Sequence, residues 1–95
     1  MRLRWLKGGT RSLRLVHARI AMDNPKSARR VVERIESAVD RLASFPGSGR
    51  IGQVPGTREL VIAGLPYIVV YRISAEFVDI LRVFHASQDY PSSFH

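Results

Sequence analysis

Pro66-Tyr67-Ile68-Val69-Val70-Tyr71-Arg72-Ile73, preceded by Arg58-Glu59-Leu60-Val61-Ile62 and followed by Val78-Asp79-Ile80-Leu81-Arg82-Val83-Phe84-His85, decides the fold. These are three runs rich in β-branched and aromatic residues, the composition of strands. Gly64-Leu65-Pro66 and Ser74-Ala75-Glu76 are the turns between them, and turns this short join antiparallel neighbours. Alternation puts Tyr67, Val69, Tyr71 and Ile73 on one face of the middle strand, and Ile68, Val70 and Arg72 on the other. Tyr67 and Tyr71 are expected partly in the core, since a tyrosine ring packs while its hydroxyl keeps a polar partner. Arg72 then points to the other, open face. Each run carries arginine, so the sheet offers a basic and aromatic surface to an anionic polymer or an acidic partner.

Outward from the sheet, two helices are legible. Ala28, Val31, Val32, Ile35, Ala38, Val39, Leu42 and Phe45 recur at i, i+3, i+4, i+7 spacing, which predicts a helix from Pro25 to about Ser44. Asn24 is its N-cap, and Pro25 fits the first turn, where a missing N–H costs nothing. The rest of its surface is charged, with i, i+4 pairing such as Arg29 with Glu33. Leu13, Val16 and Ile20 predict a first helix over 10–22, capped by Thr10 or Ser12, with His17 partly buried. Arg2 to Leu6 alternates as a short first strand, and Lys7-Gly8-Gly9 breaks it. Residues 46–56 read as a loop. The fold class is α+β, β-α-α-β-β-β: a helical hairpin packed on one face of a small, mostly antiparallel sheet. The other face is left open or is covered by a partner. The whole chain, 1–95, is expected to be a single domain.

The 95 residues carry 15 lysines and arginines against 8 acidic residues, a net charge of +7 with a pI near 11.1. That favours an anionic partner: nucleic acid, an acidic protein or an anionic membrane surface. Without cysteine there are no disulfides and no thiolate chemistry, which fits a reducing compartment. No apolar run is long enough to span a membrane and no apolar segment follows the basic N-terminus, so a cytoplasmic protein is expected. The Gly-rich segment has no Lys-Ser/Thr pair and does not lead from a strand into a helix, so it is no phosphate loop. His17, His85 and His95 lack paired spacing, so no metal is expected, nor any cofactor. The tail, Asp89 to His95, reads as a partly ordered end.

Glu59, Arg82 and His85 are the candidate acid–base set. A histidine moves protons near neutral pH, and an arginine stabilises a phosphate or a developing negative charge. RNA cleavage through the 2′-hydroxyl would need such groups. The structural alternative is that Glu59 pairs with an arginine and His85 ends a strand.

Several segments together resemble one family. They are Trp5 with Leu13, Val16 and Ile20; Ile20-Ala21-Met22-Asp23-Asn24-Pro25; Ala28 through Leu42; Phe45-Pro46 with Gly49-Arg50; Val54 through Leu60; Pro66 through Arg72; and Ile80 through His85. In this order the chain resembles the RelE/ParE superfamily, toxins of bacterial type II toxin–antitoxin pairs also known as plasmid stabilisation proteins. The resemblance implies the fold above and an acidic antitoxin as partner, in a toxin–antitoxin hetero-oligomer. It also implies one of two targets. RelE-like members cleave messenger RNA on the ribosome, and ParE-like members poison DNA gyrase. RelE-like enzymes typically carry an arginine early in the strand ending at the position of Tyr71, where this chain has none before Arg72, and their second-strand basic cluster is reduced to Arg58. The Leu81-Arg82-Val83-Phe84-His85 ending looks more like the ParE branch. Gly9, Thr10 and Ser12 stand where the family usually has alanine and acidic residues, which raises local positive charge. The expected function is therefore gyrase poisoning by binding through Arg58, Arg72 and Arg82, with His85 and Tyr90 nearby. The alternative is a ribosome-dependent mRNA endoribonuclease using Glu59, Arg82 and His85. A non-toxic basic RNA-binding domain ranks behind both.

Overall fold

The computed structural model describes residues 1–88; the expected tail ordering and Tyr90 lie outside the described residues. The order is β1 (Arg2–Trp5), α1 (Lys7–Ala21), α2 (Pro25–Asp40), two 3-10 turns (Arg41–Ala43 and Pro46–Ser48), β2 (Arg50–Ile51), β3 (Arg58–Val61), β4 (Tyr67–Ile73) and β5 (Phe77–His85). The strands form one sheet in the order β1-β5-β4-β3-β2. β1 runs parallel to β5, and the other pairings are antiparallel. The helical pair lies on one face, the α+β architecture read from the sequence. No helix among the described residues is long and apolar enough to cross a membrane.

The core lies between the helices and the sheet. Val16, Ile35, Val39 and Leu42 from the helical layer meet Tyr67, Val69, Tyr71, Val78, Ile80 and Val83 from the sheet. Each such aliphatic side chain, fully buried, contributes about 1.5–3 kcal/mol relative to exposure. The helical periodicity therefore identified the buried stripe, and Tyr67 and Tyr71 sit on the core face as expected. The other face is less bare than expected: Val70, Leu81 and Phe84 form a second buried cluster with Leu6 and Ile68. Arg72 does lie on that side, in register with Asp79.

Several boundaries differ from the sequence reading. Helix α1 starts at Lys7, not Thr10, so Gly8 and Gly9 lie inside it. The cause is proximity to β5. The Leu6 N–H donates to the Ile80 carbonyl, and a Cβ on Gly9 would stand 2.5 Å from the same oxygen. Glycine is there so that the helix can reach the strand, and the turn begins at Leu6 with no side-chain cap. Neither Thr10 nor Ser12 caps it, and His17 is exposed. Helix α2 is capped by Asn24, whose Oδ1 accepts the Ser27 N–H at 3.1 Å, but it tightens into a 3-10 turn after Asp40. Phe45 therefore leaves the helical stripe and is 66% exposed. Among the described residues the ion pairs are Arg4–Asp79, Arg50–Glu59 and Arg72–Asp79, so Arg29 and Glu33 are not joined as the i, i+4 spacing suggested.

The segment read wholly as loop contains β2, which adds two residues to the sheet beside β3. Tyr71 anchors it. Its hydroxyl donates to the Pro46 carbonyl (2.7 Å) and accepts the Gly49 N–H (2.9 Å). Gly49 lies so close that a Cβ would meet the phenol oxygen at 2.5 Å. Arg58 closes the turn from outside by donating to the carbonyls of Gly47 and Gly49.

Candidate functional site

The C-terminal half of β5 is where the candidate residues gather. β1 pairs only with Phe77–Ile80, so beyond Ile80 this edge of β5 has no strand beside it, and α1 takes that place. The Ser12 hydroxyl accepts the Val83 N–H (2.8 Å) and donates to the Gly9 carbonyl (2.9 Å), both buried. Gln88 Oε1 accepts the next edge N–H, that of His85, at 2.7 Å. Side-chain oxygens thus close the ladder positions at which another strand would add. Ser12→Ala should cost about 1–3 kcal/mol in denaturant unfolding, because it leaves the buried Val83 N–H without its acceptor; a loss under about 0.5 kcal/mol would mean that water substitutes there.

A β-bulge aims the side chains of this edge. Val70 pairs with Arg82, but Tyr71 pairs with Ile80, which leaves Leu81 as the extra residue. A bulge shifts the alternation by one residue. Val83 and His85 therefore fall on the helix side with Ile80, while Arg82 joins the side of Val70. Between α1 and β5 lies a cleft of about 260 Å³ lined by Leu15, Val16, Arg19, Tyr67, Arg82 and His85, among others. The His85 ring meets Tyr67 edge to face, centroids 5.4 Å apart. The Ser87 N–H donates to His85 Nδ1 at 3.1 Å, which places the proton of the neutral ring on Nε2. Arg82 also lines a second groove of about 710 Å³, with Leu6, Lys7, Arg11 and Leu15 across from it.

The other sequence candidates lie elsewhere. Glu59 is 4% exposed, accepts from Arg50 Nε (2.9 Å) and from the Gln53 N–H (3.3 Å), and is in register with Val70. It thus lies on the face opposite His85. Arg58 sits on the helix side and holds the 47–49 turn. Arg72 lies on the opposite side, bonded to Asp79 Oδ2 at 3.3 Å. The structure brings Arg82 and His85 to one cleft and does not bring Arg58, Arg72 or Glu59 to it. Leu15 and Arg19 are cleft residues that the sequence reading did not single out, and Ser12 entered it only as a possible helix cap and a departure from the family pattern. Leu15 carried a signal, since it is an apolar residue outside the Leu13, Val16, Ile20 stripe and is 64% exposed. Among the described residues no cluster of His, Asp and Glu could hold a metal ion.

A family model described as "ParE toxin of type II toxin-antitoxin system, parDE" matches residues 3–90. A candidate toxin, Y4kP of Sinorhizobium fredii, is 51% identical over 90 residues, covering 95% of this chain and 93% of the relative. Toxin RelE2 of Caulobacter vibrioides is 31% identical over 84 residues, covering 88% and 93%. A solved chain of the chromosomal ParDE TA system from P. aeruginosa superposes with a TM-score of 0.80 at 26% identity, over 90% of this chain and 95% of that one.

Proposed function

Because this chain belongs to the ParE toxin family of type II toxin–antitoxin systems, we propose that it stops growth by binding and poisoning DNA gyrase, without a bond-breaking step of its own, until an acidic antitoxin covers it. The observation that carries this reading is the separation of Glu59 from His85, the two proton-transfer candidates, onto opposite faces of the sheet. General acid–base cleavage of RNA needs two proton-transfer groups within reach of one phosphate. Here the Glu59 carboxylate, bonded to Arg50, lies on the face opposite His85, the side it shares with Val70 and Arg82, whereas His85, with Arg82 at its rim, lines a cleft with an apolar floor. Such a cleft is suited to a partner's side chains. The antitoxin is expected to be an acidic segment that orders on binding, with apolar groups against Leu15 and Val16 and carboxylates toward Arg19 and Arg82. Since Ser12 and Gln88 close the β5 edge, that segment would lie in the cleft rather than add as a strand beside Val83–His85.

The test is full-length chain added to DNA gyrase, relaxed plasmid and ATP. The expected result is accumulation of cleaved plasmid with loss of supercoiling, reversed by the antitoxin. Arg82→Ala should raise the concentration for half-effect about 10-fold, the effect of removing one charge-assisted hydrogen bond. Chain that still binds its antitoxin but leaves gyrase untouched would sink this reading. If it then cuts mRNA on ribosomes and loses orders of magnitude in rate with His85→Ala, the nuclease alternative stands.

A further inference from the structure

The chain's positive charge is not spread evenly. Residues 1–22 contain Arg2, Arg4, Lys7, Arg11, Arg14 and Arg19 and no aspartate or glutamate. Three of these cations fall on one line of α1. At 100° per residue, Lys7, Arg11 and Arg14 lie within an arc of about 60°, directly opposite Val16, the helix residue that enters the core. All three are exposed, and none makes an ion pair among the described residues. Packing therefore does not require them. A row of uncompensated like charges is, if anything, mildly destabilising to the helix that carries it.

We propose that the Lys7–Arg11–Arg14 row of α1 is a contact site for the phosphate backbone of a nucleic acid duplex, distinct from the cleft assigned to the antitoxin. From Lys7 to Arg14 the helix rises about 10 Å, a length over which duplex DNA presents about six phosphates. A groove lined by Trp5, Lys7, Thr10, Arg11 and Arg14 borders the row on one side, and the groove with Arg82 borders it on the other. A duplex backbone laid along α1 would meet the three cations of the row and, across the second groove, Arg82. The line itself presents only the three cations and Ala18 to solvent, with Leu15 turned toward the Arg82 groove. An acidic protein segment needs apolar anchors as well as charge, and the line itself offers none, the nearest being Trp5, Leu6 and Leu15 in the flanking grooves; a phosphate backbone needs only the charge. Binding of this kind is independent of base sequence and salt-dependent. The inference does not rest on gyrase as the target, because it concerns the chain and nucleic acid alone.

The experiment is fluorescence anisotropy of a labelled duplex of about 20 bp, DNA in one series and RNA in the other, titrated with full-length chain between about 50 and 300 mM salt. The variant is K7Q/R11Q/R14Q, and the charge-matched control is K26Q/R29Q/R30Q on α2. Glutamine has nearly the helix propensity of lysine and arginine, and melting curves check both folds. The expected result is duplex binding whose log–log salt slope falls by about 2.7 in the α1 variant, about 0.9 for each phosphate no longer neutralised, with affinity at least about ten-fold weaker at about 100 mM salt. The α2 control should retain most of both. Whichever duplex binds more tightly identifies the nucleic acid. Equal losses in the two variants would reduce the effect to net charge and overturn the proposal. So would absence of duplex binding at about 50 mM salt, or displacement of the duplex by poly-glutamate at equal charge concentration, which would assign the row to an acidic protein. Should the triple variant fail to fold, Arg11→Gln alone must lower the slope by about 0.9.

Discussion

Tyr71→Ala is expected to lower the unfolding free energy by about 4 kcal/mol, the range for removing a large aromatic side chain from a core. For a chain of this size that is a large part of the total, which runs to about 5–14 kcal/mol. Tyr71 is fully buried, and its ring packs with the helix residues while its hydroxyl leaves the core to bind Pro46 and Gly49. Tyr71→Phe isolates the second role. It keeps the ring, strands the buried Gly49 N–H, and should cost about 1–2 kcal/mol. It should also release β2, since the turn before Arg50 would then be held only by Arg58, and hydrogen exchange at Ile51 should rise. Burial also pushes the phenol's ionisation upward, more than the Gly49 hydrogen bond and Arg58 pull it down. The sign follows: a raised acid adds stability that is intact below about pH 10 and is lost as pH rises toward the folded value. Tyr71→Phe should therefore flatten the alkaline limb of the stability curve. An unchanged limb, or a Tyr71→Ala cost under about 2 kcal/mol, would show that the tyrosine is not the anchor described.

Where the sequence was legible, the reason was periodicity over several turns or strands. The apolar stripe of α2 has one solution that hides its hydrophobic residues, and the structure adopts it; β4 alternates between two apolar sets, of which Tyr67, Val69 and Tyr71 meet the helices and Ile68 and Val70 join the second cluster. Where it was not, a tertiary contact decided. Gly8-Gly9 looks like a break because glycine is a poor helix residue, yet Gly9 is required by the carbonyl of Ile80, far away on the last strand. Arg50-Ile51 has no strand pattern of its own and becomes a strand because the Tyr71 hydroxyl fixes the turn before it. The site was the least legible part for the same reason. Strict alternation from Val78 and Ile80 would put Arg82 inward with them and His85 outward. The bulge at Leu81 reverses both, and the one hint of it is that strict alternation would bury Arg82, since Ile80, Leu81, Val83 and Phe84 are apolar at both phases. The family resemblance supplied the toxin class, but which arginines converge depends on that one inserted residue.

Asp79→Ala is the second large effect, expected at about 3 kcal/mol. Asp79 is 1% exposed and sits on β5 between β1 and β4, in register with Arg4 and Arg72. Arg4 Nε donates to one carboxylate oxygen at 2.8 Å and Arg72 Nε to the other at 3.3 Å. Arg4 in turn covers the Phe77 ring, 4.1 Å from its centroid. Removing one partner of a buried ion pair costs about 3–5 kcal/mol. The lower end applies because both guanidinium groups are half in water and can recover hydration. The same geometry fixes the pH dependence. The hydrogen bond from Arg4 is the main force holding the carboxyl below its ordinary value; Arg72 adds to it and burial opposes it. A depressed acid contributes stability that is complete above its unfolded value, about pH 3.9, and that disappears as pH falls through the folded value. Asp79→Asn should therefore be less stable than the native chain at neutral pH and should converge with it in strong acid. Below about pH 4 the native slope should exceed the variant's by up to one proton, about 1.4 kcal/mol per pH unit. Parallel curves from strong acid to neutral pH would mean that the two arginines do not hold the carboxylate in solution. Because Asp79 bridges the two strands beside β5, its loss should also free β1, and with it the N-terminal end of α1, on which Lys7 and Arg11 are carried. Duplex binding by the native chain should therefore weaken with acid before the core melts, and binding by the Asp79→Asn chain should already be weaker at neutral pH without that added acid loss, whereas the melting of α2 should follow the core in both.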